Sequence, residues 1–152
     1  MSNWNVITDE NGLLKLESSF GGFHDSCLRE VHIWTGHSVD QQLAMQLGED
    51  RDVSLKMFLQ RQFRNPSAIE LEFSEVAYFQ VSPSADNYDS VIYEAELSFT
   101  TDRDIRLHID FESIHPEESR NSGYLVIGKK LRWRSVSWMG KELRYGEDES
   151  FS

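Results

Sequence analysis

The chain has a single cysteine, Cys27, so it cannot close an internal disulfide and is not a stapled secreted scaffold. No run of about 18 apolar residues occurs, which excludes a transmembrane helix. The N-terminus, Met1-Ser2-Asn3-Trp4-Asn5, carries neither the basic region nor the apolar run of a secretory signal. Together these absences point to a reducing cytoplasm. No segment repeats with a period of about 20–50 residues, so solenoids and propellers are excluded. Cations are scarce in the first two-thirds. Residues 1–100 hold 6 basic and 16 acidic side chains, a net of −10, whereas residues 101–152 hold 9 and 10, a net of −1. An acidic surface of this kind speaks against nucleic acid, whose phosphates need neutralising, and against anionic membranes. A basic protein suits it better.

What is present suits a globular domain. The 152 residues are 39% hydrophobic and 27% charged, enough for a core and a soluble surface without staples. Residues 1–145 are expected to form one domain, with 146–152 as an acidic tail. Thr8 or Asp9 is placed to cap a helix over 9–19, with Leu13, Leu14, Leu16 and Phe20 as its apolar stripe and Gly21-Gly22 as its stop. Period-two alternation then marks strands. It runs through Cys27–Trp34, Val53–Phe63, Ile69–Val81, Val91–Phe99, Ile105–Phe111 and Tyr124–Val136. Within the link Gly36–Asp52, the stretch Val39–Leu47 fits a strand or a short helix equally well. Short links favour antiparallel neighbours. The expected fold is mainly β (α+β): a curved antiparallel sheet of about six strands, a partial barrel or sandwich, with one N-terminal helix. By parity, Trp4, Trp34, Tyr78, Tyr93 and Trp133 should lie mostly in the core, with Trp138 past the last strand and exposed.

The densest reactive stretch is Phe20-Gly21-Gly22-Phe23-His24-Asp25-Ser26-Cys27. His24, Asp25 and Cys27 are the residues of a nucleophile and its base. A nucleophile and base usually meet across a fold, however, and a cysteine at a strand start more often serves as a small hydrophobe. His24, Asp25, His32, His37, His108 and His115 stand at no recognised metal-ligand spacing, so neither metal nor cofactor is expected. Two carboxylate ladders are more informative. Glu70 and Glu72 share one strand face, and Glu94 and Glu96 share another. If their strands form the hairpin that the loop at 82–87 suggests, four carboxylates crowd one surface. Opposed like charges there cost roughly 0.2–1 kcal/mol each. Arg106, His108, Lys130, Arg132 and Arg134, at outward positions on the remaining strands, are the groups available to offset them.

Three blocks carry a resemblance. They are Phe23-His24-Asp25-Ser26-Cys27-Leu28-Arg29-Glu30, the run from Gln60 to Leu71, and Lys130-Leu131-Arg132-Trp133-Arg134. These resemble a group of small bacterial proteins similar in size and acidity to the immunity proteins that neutralise polymorphic toxins, over roughly residues 18–138. The resemblance implies a cytoplasmic bacterial protein with a protein-binding role, and supplies no catalytic residues. The expected function is therefore non-enzymatic binding of a basic protein through Glu70, Glu72, Glu94 and Glu96. The alternative is a small enzyme or ligand-binding barrel with a pocket near His24, Asp25 and Cys27.

Overall fold

A computed structural model describes residues 3–49, 51–82, 91–111 and 123–146. The elements in chain order are β1 (Asn5–Val6), α1 (Glu10–Ser19), a 3-10 turn (Gly21–Phe23), β2 (Ser26–Thr35), β3 (Ser38–Val39), β4 (Met45–Gln46), β5 (Val53–Arg61), β6 (Ala68–Ser82), β7 (Ile92–Phe99), β8 (Ile105–Phe111) and β9 (Gly123–Val136). Residues 83–90, with most of the loop expected at 82–87, residues 112–122 and most of the acidic tail lie outside the described residues.

The helix begins where an N-cap is chemically available. The Asp9 carboxylate accepts the Gly12 N–H at 2.9 Å, and Leu13, Leu16 and Phe20 turn inward. It ends as the chain enters left-handed backbone at Gly21 (φ 60°) and Gly22 (φ 67°), conformations that glycine adopts without strain.

The strands form one antiparallel sheet in the order β2-β5-β6-β9-β8-β7, with β1 added along β9. The sheet is curved and does not close into a barrel. Its curvature comes from the two long central strands. The first half of β6 pairs with the second half of β9, from Ala68↔Val136 to Ser74↔Lys130. The same register holds through Glu75, at φ 52°, to Val76↔Gly128; it then shifts between Val76 and Tyr78, and pairing resumes from Tyr78↔Ile127 to Ser82↔Gly123. A bulge of this kind bends the strand and deepens its twist. Gly128 accommodates the bend, because a Cβ there would sit 3.2 Å from the Ser74 carbonyl oxygen. β5 lies along the first half only, and β8 along the start of β9 only. The two half-sheets thus fold toward each other over a core that includes Leu55, Met57, Leu71, Phe73, Leu107 and Val126. Each fully buried leucine there contributes about 1.5–3 kcal/mol.

The edge strands β2 and β7 approach at one end. The Asp25 N–H donates to the Ile92 carbonyl at 3.2 Å, and the Leu97 N–H on the free edge of β7 donates to Glu17 Oε1 at 3.3 Å. The helix thereby covers part of an edge that would otherwise invite another strand.

Two expectations are corrected. The segments carrying Glu70-Glu72 and Glu94-Glu96 are not hairpin neighbours, because β9 and β8 lie between them. The physical reason is charge as well as shape. β9 sets Arg134 opposite Glu70 and Arg132 opposite Glu72, whereas a β6–β7 pair would oppose like charges. The aromatic parity is also revised. Trp133 is buried, but Trp34, Tyr78 and Tyr93 are exposed: Trp34 and Tyr78 follow a register shift in their strands, and Tyr93 lies within the one between Ile92 and Glu94. Trp138 is half-buried rather than exposed.

Candidate functional site

On the outer face of the first half-sheet, neighbouring strands present Phe58, Glu70 and Arg134 in one row and Lys56, Glu72 and Arg132 in the next. Arg134 donates to Glu70 Oε1 from Nε at 2.9 Å and from Nη2 at 2.8 Å. Arg132 makes the same pair of contacts to Glu72 Oε1, at 3.1 and 2.9 Å, and Lys56 Nζ stands 3.8 Å from Glu72 Oε2. Trp4 lies over both guanidinium groups, 4.2 Å from that of Arg132 and 4.4 Å from that of Arg134.

A C-terminal strap, residues 137–146, closes over this row. Tyr145 Oη donates to Glu70 Oε2 at 2.7 Å, so each oxygen of that carboxylate is satisfied and the side chain is 1% exposed. Glu30 holds the strap from β2, both its oxygens accepting the Arg144 N–H at 2.9 Å. Arg29 and Gln60 donate to strap carbonyls, and the Trp138 ring meets Phe58 edge-on at 5.6 Å. Burial raises the Tyr145 phenol above its ordinary range; the hydrogen bond to Glu70 and the charges of Glu70 and Glu30 add to this, and Arg134 opposes it. Glu70 and Glu72 are therefore structural ion-pair partners, with Glu70 withdrawn from solvent.

Glu94 and Glu96 have the opposite setting. Both are exposed on β7, opposite Asp110 and His108 by register, and neither makes an ion pair or side-chain hydrogen bond among the described residues. Glu10, Glu49, Asp52 and Asp102 are exposed and make no ion pair among the described residues. The cations are largely committed elsewhere: Arg51 to Asp104 at 3.0 Å, Lys130 to Glu75 at 3.5 Å, and Arg61 to the Pro66 carbonyl and the Phe20 ring. No family model, curated protein or solved structure matches this chain.

The stretch around Cys27 closes one end of the core. Phe20 and Phe23 are fully buried and pack edge to face at 5.6 Å, and the Ser26 hydroxyl donates to the Phe23 carbonyl. His24 and Asp25 face solvent, paired with each other at 3.2 Å, and His24 lies 6.1 Å from the Tyr93 ring. Cys27 is half-buried near Tyr124, whose phenol is raised first by burial and then by that neighbour. An open cleft of about 620 Å³ is lined by residues 64–67 and 135–137, and none of the three lines it. Among the described residues no three His, Cys, Asp or Glu side chains converge to hold a metal ion, and no helix is long and apolar enough to cross a membrane.

Two features escaped sequence reasoning. The strap gave no periodic signal, because its contacts are single hydrogen bonds to side chains more than 70 residues away. The Gly36–Asp52 link had a signal, the spacing of Leu43, Met45 and Leu47, but it did not choose between strand and helix. It is an arm carrying the two-stranded hairpin β3-β4, with Val39 opposite Met45.

Proposed function

We propose that this chain is a non-enzymatic, immunity-like protein-binding protein that presents an acidic surface to a basic partner. The observation that carries this reading is the uneven fate of its charges. Most described cations are tied to carboxylates, carbonyls or aromatic rings, while Glu94, Glu96, Glu10, Glu49 and Asp52 remain exposed and unpaired among the described residues. Exposed charge of one sign speeds encounter with an oppositely charged surface and discriminates against like-charged ones. The binding role moves away from Glu70 and Glu72, which the arginines of β9 occupy, and rests on Glu94 and Glu96 among the carboxylates first considered.

The test is affinity capture from cells that make the protein, with wild type and the Glu94→Gln/Glu96→Gln variant as bait. The expected result is a basic protein held by the wild type, held less by the variant, and released as salt rises to about 1 M, where the screening length falls to about 3 Å. Retention of the same partner by the variant at high salt would contradict the reading.

A further inference from the structure

The arm between β2 and β5 is built but unused by the fold. Its hairpin is braced from within: Asp40 Oδ1 accepts the Gln42 and Ala44 N–H groups at 2.9 and 3.0 Å, and Oδ2 accepts Gln46 Nε2 at 3.0 Å. These bonds, led by the one from Ala44, hold the Asp40 carboxyl below its ordinary range. At the neck, Gly48 approaches Gly36 closely enough that a Cβ on Gly48 would lie 3.1 Å from Gly36 Cα, and the Gly48 N–H donates to His37 Nδ1 at 3.0 Å. Val39 and Met45 are opposite each other and share one face of the hairpin, with Leu43 at the tip and Leu47 just past β4. All four are open to solvent, Leu43 at 87% and Leu47 at 76% exposure. An ordered arm with an uncovered apolar face in so polar a chain marks an interaction surface.

Charge selects the occupant. From Glu30 to Asp50 the sequence contains no lysine or arginine, and Glu49 and Asp52 stand exposed at the neck. A second copy would bring the same acidic neck and its own net charge of −11 against the first, and an anionic bilayer would be repelled likewise. We propose that the arm Gly36–Glu49 inserts Leu43, Met45 and Leu47 into an apolar groove of a partner protein whose rim carries lysine and arginine. This rests on the protein-binding reading above and adds where the partner seats and what its surface must be.

The test places a photo-crosslinking amino acid at Leu47, at Glu96, or at the exposed helix residue Leu14 as control, in cells that make the protein. Any captured protein is then purified and titrated against wild type, Leu43→Ser and Met45→Ser. The expected result is a Leu47 adduct with a basic protein, absent at Leu14. Its Kd should rise at least about tenfold in each serine variant, as for anchor residues in a pocket. Each variant should keep the wild-type melting temperature, because Leu43 and Met45 are mostly exposed and outside the core cluster. An adduct at Glu96 but not at Leu47 would overturn the arm while leaving the protein-binding reading intact; no adduct at either would overturn both. A Leu47 adduct with a second copy, an affinity indifferent to both serine variants, or binding of the arm to phosphatidylserine vesicles would also overturn it.

Discussion

Two ladders of the same composition, Glu70-x-Glu72 and Glu94-x-Glu96, meet opposite fates in this molecule. The first lies in the middle of the sheet, where β9 supplies an arginine for each carboxylate and the strap seals the inner pair under Tyr145. The second lies on the edge strand β7, opposite Asp110 and His108, and stays in water. The two are separated by roughly 30 Å along β9, the distance from Arg134 to Leu125, which sits opposite His108. The Glu-x-Glu spacing fixes which face the carboxylates share; only the neighbouring strand decides whether they become structure or surface.

The sharpest way to break the comparison is to remove the cation from the buried row. Arg134→Met should cost about 3–5 kcal/mol in urea unfolding, because Glu70 is then left buried with only Tyr145 as partner. A cost below about 1 kcal/mol would mean that water already reaches the carboxylate. Leu71→Ala, on the opposite face of the same strand, should cost about 2–5 kcal/mol as a fully buried leucine. It calibrates how much of the strand's stability is apolar.

Tyr145→Phe should cost about 1.5–3 kcal/mol, the worth of a hydrogen bond to a charged group. It has a pH signature as well. The folded-state pKa of Tyr145 is raised, so its contribution is complete below its unfolded pKa of about 10 and declines as pH climbs past that value. Above pH 10 the wild type should therefore lose up to about 1.4 kcal/mol per pH unit more than Tyr145→Phe. Parallel alkaline profiles for the two proteins would show that the phenol ionises freely and that the strap is open. Glu72→Gln is the smallest expected loss, about 1 kcal/mol or less, since Arg132 is 42% exposed and screened. A double-mutant cycle with Arg132→Met measures it.

Much of this architecture was legible in the sequence, for identifiable reasons. The alternation of Leu55, Met57 and Leu59, or of Leu131 and Trp133 against Arg132 and Arg134, reports a half-buried strand directly, and Asp9 with Gly21-Gly22 brackets the helix. Strand order was not legible. The composition of residues 82–87 is compatible with a hairpin, and only the complementary charges of β9 say otherwise. Bulges were equally invisible: the shifts at Leu28/Glu30, Val76/Tyr78 and Ile92/Glu94 leave no residue pattern, and parity fails at Tyr78 and Tyr93 for that reason, whereas Trp34 simply shares the face of Glu30 and His32. The candidate site divided the same way. The exposure of Glu94 and Glu96 follows from parity, whereas the withdrawal of Glu70 depends on Tyr145, which lies 75 positions further along the chain.

The most direct measurement compares the two ladders in one experiment, urea unfolding of Glu70→Gln/Glu72→Gln beside Glu94→Gln/Glu96→Gln at neutral pH. The account predicts a loss of about 3–5 kcal/mol for the first, whose arginines lose their counter-charges. For the second it predicts a change within about 0.5 kcal/mol, or a slight gain from relieved repulsion. Equal losses, or a larger loss at Glu94 and Glu96, would contradict the division of this protein into a sealed ionic row and an open acidic edge.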